Sequence, residues 1–195
     1  LYADYGKKFD PSSTNSYTQL NPIFSSKFQL LYFLIRKLKP EIVVETGVAA
    51  GESTGYILKA LNDNKKGYLY SIDLPFQWYV YGKNHTLHLD SLPAGKISGY
   101  LMPKYLKKRW QLIIGHTHYK LPKLLNKLGQ IDIFFHDSEH TDKTMTFEYQ
   151  TSWPYIKKGG FLISDDIGFT DAFRIFLKQI RAKGLEFKNL GIIIK

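Results

Sequence analysis

The stretch Glu41-Ile-Val-Val-Glu-Thr-Gly-Val-Ala-Ala-Gly-Glu-Ser-Thr54 decides the fold class of this chain. The β-branched run at residues 42–44 predicts a buried strand, and Glu45 follows at its carboxyl edge. Gly47 and Gly51 then lead into helical periodicity at residues 53–61. A strand that turns over glycines into a helix lets a ligand approach bare backbone at the helix N-terminus. The stretch therefore predicts the ligand-binding edge of an open α/β sheet.

The spacing around this turn indicates what kind of ligand it suits. Glu45, Gly47 and Gly51 form an E-x-G-x-x-x-G pattern, which differs from the G-x-G-x-x-G of dinucleotide sites. A carboxylate repels a pyrophosphate but suits a cationic amino group, such as the methionine end of S-adenosylmethionine (SAM). A second predicted strand ends at Asp73, where a carboxylate can accept hydrogen bonds from both ribose hydroxyls. The alternative is a plain glycine turn with a solvated Asp73.

The rest of the chain repeats the order of strand and helix. Strands are predicted at residues 110–114, 131–135 and 161–164, and helices at 26–39, 121–128, 143–156 (with Gly159-Gly160 as its stop) and 172–180. Repeated units of this kind predict a mostly parallel sheet with right-handed crossovers. Residues 186–187 and 190–194 predict a closing antiparallel pair.

The domain organisation follows from length and composition. The 195 residues suffice for one α/β core, which we place at residues 25–195 after a polar N-terminal arm at 1–24. Residues 74–108 interrupt the alternation with aromatic residues, prolines and glycines. Such a long insertion is typical of a lid or a wall for a substrate.

Charge and cysteine content limit the partners and the compartment. The formal net charge is +10, and the Lys/Arg clusters at 104–109, 120–127 and 157–158 contain no aromatic RNA-stacking motif. We interpret them as solvated helix faces, with a nucleic-acid surface as the alternative. The lack of cysteine fits a reducing cytosol, and no run approaches about 20 apolar residues, so we expect a cytoplasmic protein without a membrane span. A homo-oligomer is left open.

Acidic residues end four of the five predicted parallel strands: Glu45, Asp73, Asp137, Asp165 and Asp166. The last three should converge, because the carboxyl ends of neighbouring parallel strands share one edge of the sheet. Carboxylates brought together repel unless a cation compensates them, and an oxygen-only set suits Mg²⁺ or Ca²⁺. Such a metal could lower the pKa of a substrate hydroxyl. The alternative for Asp165-Asp166 is an Asx turn or a helix N-cap.

Two candidates for a general base follow Asp137 directly. Glu139 and His140 lie two and three residues beyond it. Histidine titrates near neutrality, whereas a glutamate needs a raised pKa or help from a metal. The alternative for His140 is a helix cap or a structural hydrogen bond. The predicted catalytic residues are thus Glu139, His140 and Asp137, with the choice of base left open.

Four segments follow one another along the chain in an order that is typical of one protein family: Glu45-Thr-Gly-Val-Ala-Ala-Gly51, Ser71-Ile-Asp-Leu-Pro75, His136-Asp-Ser-Glu-His140 and Lys157-Lys-Gly-Gly-Phe-Leu-Ile-Ser-Asp-Asp166. They resemble class I SAM-dependent methyltransferases over residues 26–195. Within that class they are most similar to the methyltransferase domain 24 group, which is similar to macrocin-type and catechol O-methyltransferases. The resemblance implies a Rossmann-like, doubly wound, seven-stranded sheet, mostly parallel with an antiparallel last strand.

The resemblance also implies site residues. It places the methionine part of SAM at Glu45, Gly47 and Gly51, the ribose at Asp73 and the metal at Asp137, Asp165 and Asp166. The full set of predicted cofactor-binding residues is Glu45, Gly47, Gly51, Ser53, Asp73, His116 and Asp137. Relatives commonly carry Gly-Asp where this chain has Gly115-His116, and often Asp-Gly-Asp where it has Asp137-Ser138-Glu139.

Three functions are compatible with these patterns. The main hypothesis is a SAM-dependent methyltransferase, assisted by Mg²⁺ or another divalent cation, that acts on a hydroxyl of a small molecule, with the aromatic insertion as a wall around the acceptor. A metal-independent RNA or protein methyltransferase would use the basic surface. The third is a non-methylating relative that uses the same fold for binding, since fold does not fix function.

Overall fold

The computed structural model describes residues 26–74, 92 and 95–195 of the chain. The predicted arm at residues 1–24 and most of the predicted insertion therefore lie outside the described residues. The helices are α1 (Ser26–Leu38), α2 (Glu52–Asn64), α3 (Thr117–Leu128), α4 (Asp142–Ser152) and α5 (Ala172–Gln179). The strands are β1 (Ile42–Thr46), β2 (Tyr68–Asp73), β3 (Trp110–Ile114), β4 (Ile131–His136), β5 (Ile156–Ser164), β6 (Gly184–Phe187) and β7 (Leu190–Ile194).

The strands form one seven-stranded sheet in the order β3-β2-β1-β4-β5-β7-β6. The pairs among β1 to β5 are parallel, and β7 runs antiparallel to both β5 and β6. The strand order reverses at β1, which is where ligands bind in doubly wound sheets. The predicted fold, a Rossmann-like and mostly parallel sheet with a reversed last strand, is confirmed.

Both faces of the sheet are covered by helices, and the strands alternate between the two cores. In β1, Val43 packs in the cluster that includes Leu31 and Ile57 of α1 and α2. Its neighbour Val44 packs in the other cluster, with Leu121 of α3 and other residues of α4 and α5. Successive side chains of a strand point to opposite faces, so a short β-branched run that is buried on both sides is the pattern of a central parallel strand.

Two predicted boundaries are wrong, and each has a local cause. α3 begins at Thr117, four residues earlier than predicted, because His116 caps it: its Nδ1 accepts a hydrogen bond from the backbone N–H of His118 (3.2 Å). The glycine pair at 159–160 does not stop a helix but lies inside β5. A Cβ on Gly160 would lie 2.7 Å from the carbonyl oxygen of Asp132, so glycine permits this strand to pass close to β4.

No helix within the described part of the chain is long and apolar enough to cross a membrane.

Candidate functional site

The register of the sheet brings the strand-end acids to one edge. His136 pairs with Thr46 of β1 and with Ser164 of β5, so the residues that follow these three positions are neighbours. The backbone N–H of Asp137 donates to the carbonyl of Thr46, and that of Asp165 donates to the carbonyl of His136, both at 2.8 Å. The convergence predicted from parallel pairing is therefore present, and it lies at the carboxyl edge where β1 reverses the strand order.

Glu45 lies beneath this edge and is fully buried. Its carboxylate accepts hydrogen bonds from the hydroxyls of Ser53 (3.0 Å), Thr54 (2.8 Å) and Ser71 (2.6 Å). Burial raises the pKa of Glu45 to about 7, although the three hydroxyls oppose the rise. The carboxylate is enclosed by these hydroxyls and joins β1, α2 and β2, and its contact with the amino group of a ligand stays a prediction.

The two glycines of the turn are required by contacts within the protein. Gly47 has a φ of +83°, and a Cβ there would lie 1.9 Å from the carbonyl oxygen of Asp137. Gly51 has a φ of +103°, and its Cβ would lie 3.0 Å from Met102 Cε and 3.2 Å from Gly99 Cα. Bare backbone is thus needed at both positions for close packing against the residues that follow β4 and against residues 99–102, and the ligand contacts assigned to the two glycines stay predictions.

The described end of the predicted insertion packs on the glycine turn. Gly99 N–H donates to the carbonyl of Ala49 (2.8 Å), and Leu101 N–H donates to that of Ala50 (3.3 Å). Met102 and Leu106 are buried in the same core as α1 and α2. The sequence pattern missed this role, because prolines, glycines and scattered aromatic residues hide the few apolar positions that reach the core.

The acid at the end of β2 is bound to the same turn. Asp73 Oδ2 accepts a hydrogen bond from Ala49 N–H (3.1 Å), and its Oδ1 accepts one from Leu74 N–H (2.9 Å). Burial raises the pKa of Asp73, against the effect of these donors. His116 follows β3, next in the sheet, since Gly115 N–H donates to the carbonyl of Asp73 (2.8 Å). The ribose and adenine contacts assigned to Asp73 and His116 stay predictions.

Asp137 lies in surroundings of negative charge. Burial, together with the charges of Asp165 and Glu45, raises the pKa of Asp137 well above its usual value. Its side chain is still 22% exposed, so a ligand can reach it. Ser53 is buried and donates to Glu45, and its predicted contact with the cofactor stays a prediction. A cationic group that binds at this edge would stabilise the ionised form of Asp137.

A lysine that the sequence pattern did not indicate forms ion pairs with the two aspartates. Lys27, in the first turn of α1, places its Nζ 2.5 Å from Asp165 Oδ2 and 3.5 Å from Asp166 Oδ1. Burial alone would lower the pKa of Lys27, but the hydrogen bond and charge of Asp165 and the charge of Asp166 raise it above its usual value. Nothing in the local sequence distinguishes Lys27 from a solvated helix residue.

One buried carboxylate oxygen of the aspartate pair has no hydrogen-bond partner in the described structure. Asp165 is 2% exposed, and its Oδ1 has no hydrogen-bond partner among the described residues. Asp166 has a left-handed φ of +50°, and its Oδ1 accepts a hydrogen bond from Asn189 Nδ2 (2.9 Å). The N-cap alternative does not describe the pair, since α5 begins only at Ala172. The Asx-turn alternative does not describe it either, because the backbone N–H groups of Ile167 and Gly168 donate to Asn189.

The arrangement of these carboxylates does not provide the predicted magnesium site. Within residues 26–74 and 95–195, no three His, Cys, Asp or Glu side chains lie together in a way that could hold a metal ion. Asp165 Oδ2 and Asp166 Oδ1 face the Lys27 ammonium instead. A divalent cation would meet that positive charge at the same position. The carboxylates as they lie therefore do not fit a magnesium ion.

The two candidate bases differ in what they contact. Glu139 is exposed, and its Oε2 accepts a hydrogen bond from the hydroxyl of Thr144 (2.7 Å) in the first turn of α4. His140 turns the other way: its Nε2 lies 4.0 Å from Asp137 Oδ1 and has no hydrogen-bond partner in the described structure. Burial and the neighbouring His136 lower the pKa of His140 from 6.5, so its ring is neutral at pH 7. The geometry favours His140.

A buried pair beneath His140 was also missed. Glu148 of α4 is fully buried and accepts hydrogen bonds from Thr46 Oγ1 (2.5 Å) and Ser138 Oγ (2.8 Å). Its Oε2 also lies 2.7 Å from His136 Nδ1. The ring of His136 meets that of His140 edge to face, with centroids 5.4 Å apart. A glutamate inside a helix gives no sequence signal of this kind, because only the packing of α4 on the sheet buries it.

The family of the chain follows from a match to a family model. Residues 44–167 match the model of a methyltransferase domain, from β1 through the aspartate pair. The chain belongs to this family. It is a SAM-dependent methyltransferase, as the four ordered segments indicated. A comparison with curated protein sequences finds none that matches.

Solved structures of the same fold include several methyltransferases. A putative caffeoyl-CoA O-methyltransferase from Staphylococcus aureus is 17% identical, with a TM-score of 0.61 over 87% of this methyltransferase and 82% of that chain. The O-methyltransferase TomG from Streptomyces achromogenes, in complex with SAM, is 14% identical, with a TM-score of 0.61 over 86% and 78%. MycE, of the mycinamycin biosynthetic pathway, in complex with Mg, SAH and mycinamycin VI, is 15% identical, with a TM-score of 0.58 over 87% and 54%.

Proposed function

We propose that this methyltransferase transfers the methyl group of SAM to a hydroxyl oxygen of a small molecule. The observation that carries the proposal is the position of His140. A neutral imidazole lies at the carboxyl edge of the sheet with its Nε2 buried and without a hydrogen-bond partner in the described structure, beside the partly exposed carboxylate of Asp137. A hydroxyl is a poor nucleophile until its proton is removed, and a neutral histidine is suited to accept that proton near neutral pH.

The residues proposed to hold SAM are Asp137 and Asp73. Asp137 favours a cationic amino group, because burial among Glu45 and Asp165 leaves its negative charge poorly compensated. Asp73 lies one strand away, at the end of β2, where a carboxylate suits ribose hydroxyls. When bound, SAM supplies a methyl group on a sulfonium, which an oxygen nucleophile can attack in line.

The remaining steps fall to residues of the chain. His140 accepts the proton of the acceptor hydroxyl, and the nearby carboxylate of Asp137 stabilises the resulting imidazolium. The buried Glu148–His136 pair fixes the position of the residues that pack under His140, because it joins β1, β4 and α4. No step of the proposed mechanism passes through a metal ion, since Lys27 lies on the aspartates expected to bind one.

Two observations support oxygen in a small molecule as the acceptor. Structures of the same fold include O-methyltransferases by name, and one of them was solved with the small molecule mycinamycin VI. At the other edge of the sheet, part of the basic surface is already neutralised: Lys66 pairs with Glu41 (3.1 Å) and Lys157 with Asp132 (3.0 Å). These pairs reduce the charge available there for a nucleic-acid backbone.

The test uses SAM with a tritiated methyl group and three separate acceptor pools. The pools are a small-molecule cell extract, total RNA and a protein extract, each incubated with wild type and with His140→Ala. We expect label in the small-molecule pool, in a product that resists mild alkali as an ether does, and much less label with His140→Ala. Label confined to RNA or protein, or no label in any pool, would overturn the proposal.

A further inference from the structure

The aspartate pair at the end of β5 is neutralised by a residue from another part of the chain. Lys27 precedes Asp165 by 138 residues, and its side chain is 25% exposed whereas that of Asp165 is 3% exposed. The ammonium is therefore at the mouth of the site, and the carboxylate is inside it. This contact joins α1 to the carboxyl edge of the sheet, because α1 packs along α2 on the face beside β1.

The position of the ammonium matches the need of the site for positive charge. Asp165 and Glu45 both lie close enough to Asp137 for their charges to act on it. Lys27 also feels the charges of Asp165, Asp166 and Asp137. Carboxylates held this close require a cation, and an ammonium that is fixed by the fold meets the requirement without an added ion.

The Lys27 ammonium also has an N–H donor that neither aspartate uses. Lysine carries three N–H donors; one of those of Lys27 is used by Asp165 Oδ2 at 2.5 Å, and a second faces Asp166 Oδ1 at 3.5 Å. Because the side chain is partly exposed, the third donor can reach a group that enters the site. A donor fixed at this place can stabilise negative charge that develops on an oxygen during the reaction.

We propose that the Lys27 ammonium is the built-in cation of this site: it takes the place of a divalent metal ion at Asp165 and Asp166 and donates a hydrogen bond to the acceptor oxygen. The replacement of a metal ion follows from the position of Lys27 alone, whereas the hydrogen bond to the acceptor rests on the proposed function, so the two parts can fail separately.

The first measurement is Mn²⁺ binding, followed by electron paramagnetic resonance without SAM or acceptor. We compare wild type with Lys27→Met, which keeps the apolar stem but removes the charge, and with Lys27→Arg, which keeps the charge. We expect Lys27→Met to gain Mn²⁺ affinity by about tenfold or more. The gain should vanish in Lys27→Met/Asp165→Asn and be absent from Lys27→Arg. Tight Mn²⁺ binding by wild type, or no change in Lys27→Met, would overturn the inference.

The second measurement is methyl transfer after exhaustive dialysis against a chelator. Wild type should retain its turnover, and Lys27→Met should lose about 10²–10³-fold in kcat, the usual effect of removing one charge-stabilising donor. Added Mg²⁺ should restore part of the activity of Lys27→Met only. Wild-type activity that falls on chelation and returns with Mg²⁺ would overturn the inference.

A matched control separates this role from the loss of any lysine ion pair. Lys59 makes a similar contact, with its Nζ 2.5 Å from Asp63 Oδ2, but within the exposed part of α2. Lys59→Met should leave Mn²⁺ binding and turnover as in wild type. If no variant transfers methyl groups while the Mn²⁺ results hold, the proposed function fails and the assignment of Lys27 as the site's cation stands.

Discussion

The hydroxyl of Ser71 lies 2.6 Å from Glu45 Oε2 and also accepts a hydrogen bond from Trp110 Nε1 (2.9 Å). A side chain of β3 is thereby linked through β2 to a fully buried carboxylate of β1. The same carboxylate also fixes the end of the glycine turn, because Ser53 and Thr54 at the start of α2 donate hydrogen bonds to it. The network explains why an acid is tolerated beneath the site: each side of Glu45 meets a hydroxyl.

The stability of the protein should depend on pH through Glu45. Burial raises its pKa from 4.5 to about 7, so between these values the native state holds a proton that the unfolded state has released. The free energy of unfolding therefore falls as pH rises through this window, by on the order of 3 kcal/mol for this group. Glu45→Gln should remove this part of the slope in urea unfolding without cofactor.

The control for this prediction is Glu52→Gln, which neutralises an exposed carboxylate in the first turn of α2. It should keep the wild-type slope between pH 4.5 and 7. Equal slopes in wild type and Glu45→Gln would contradict the assignment of the slope to Glu45.

Removal of Glu148 should be far more damaging than removal of a surface acid. Glu148→Ala leaves His136, Thr46 and Ser138 without their shared buried partner, and we expect a loss of about 3–5 kcal/mol in the free energy of unfolding. Burial opposes ionisation, but His136 and the hydroxyls lower the pKa of Glu148 below 4.5. Its contribution is thus present above pH 4.5 and is lost as pH falls further.

Chemical denaturation at pH 7 measures this loss. Glu148→Gln, which keeps the shape and one acceptor oxygen, should lose less than Glu148→Ala. Glu186→Ala removes an exposed acid whose Oε1 lies 3.7 Å from Arg174, and it should change little. Similar values for Glu148→Ala and Glu186→Ala would show that the buried network does not stabilise the fold.

A methyl group at Gly47 should disrupt the turn. Gly47→Ala combines a left-handed φ of +83° with a Cβ only 1.9 Å from the Asp137 carbonyl oxygen, so the backbone of β4 must move. We expect a loss of about 3 kcal/mol or more in the free energy of unfolding, together with weaker SAM binding. Gly129 provides the comparison: its φ is +73°, but nothing lies within 4 Å of a Cβ.

Gly129→Ala should lose only about 1–2 kcal/mol, the conformational part of the effect. The difference between the two variants, measured by urea unfolding, isolates the close approach of the two backbones. If the variants are equally stable, close packing at Gly47 is not what requires glycine there.

Asp137 should be the acid on which SAM affinity depends most. Asp137→Asn removes the negative charge proposed to hold the amino group, and we expect the Kd for SAM to rise by about tenfold or more in calorimetry. Asp171→Asn, at a side chain that is 75% exposed, should leave the Kd unchanged. An unchanged Kd for Asp137→Asn would place the amino group elsewhere.

The two candidate bases should separate in kinetics. His140→Ala should lower kcat by about 10²–10⁴-fold with little change in the Kd for SAM, because it removes the proton acceptor. Glu139→Gln should have a small effect, since Glu139 is bound to Thr144 at the start of α4. The reverse order of effects would identify Glu139 as the base.

Local patterns were sufficient for the alternation of strands and helices, for a mostly parallel sheet and for the edge of the sheet that carries the site. Val43 and Val44 in a short β-branched run, the glycines at 47 and 51, and the acids after β2, β4 and β5 were all placed correctly by periodicity and by the meeting of parallel strand ends. Those features depend on neighbours in the chain or on the direction of a strand. The family match then confirmed the methyltransferase assignment.

Side-chain contacts between distant parts of the chain could not be predicted in this way. Local periods of two and 3.6 residues predicted the alternation of strands and helices, and parallel pairing predicted that the acids meet at the carboxyl edge. The seven-stranded, doubly wound sheet was implied by the family resemblance, and the strand order with its reversal at β1 is visible only in the folded structure. Only the tertiary structure decided that Lys27 neutralises Asp165, that hydroxyls enclose Glu45 and that Glu148 lies under the site. Those outcomes depend on how α1 and α4 pack against the sheet, which brings together charges that are far apart in the chain.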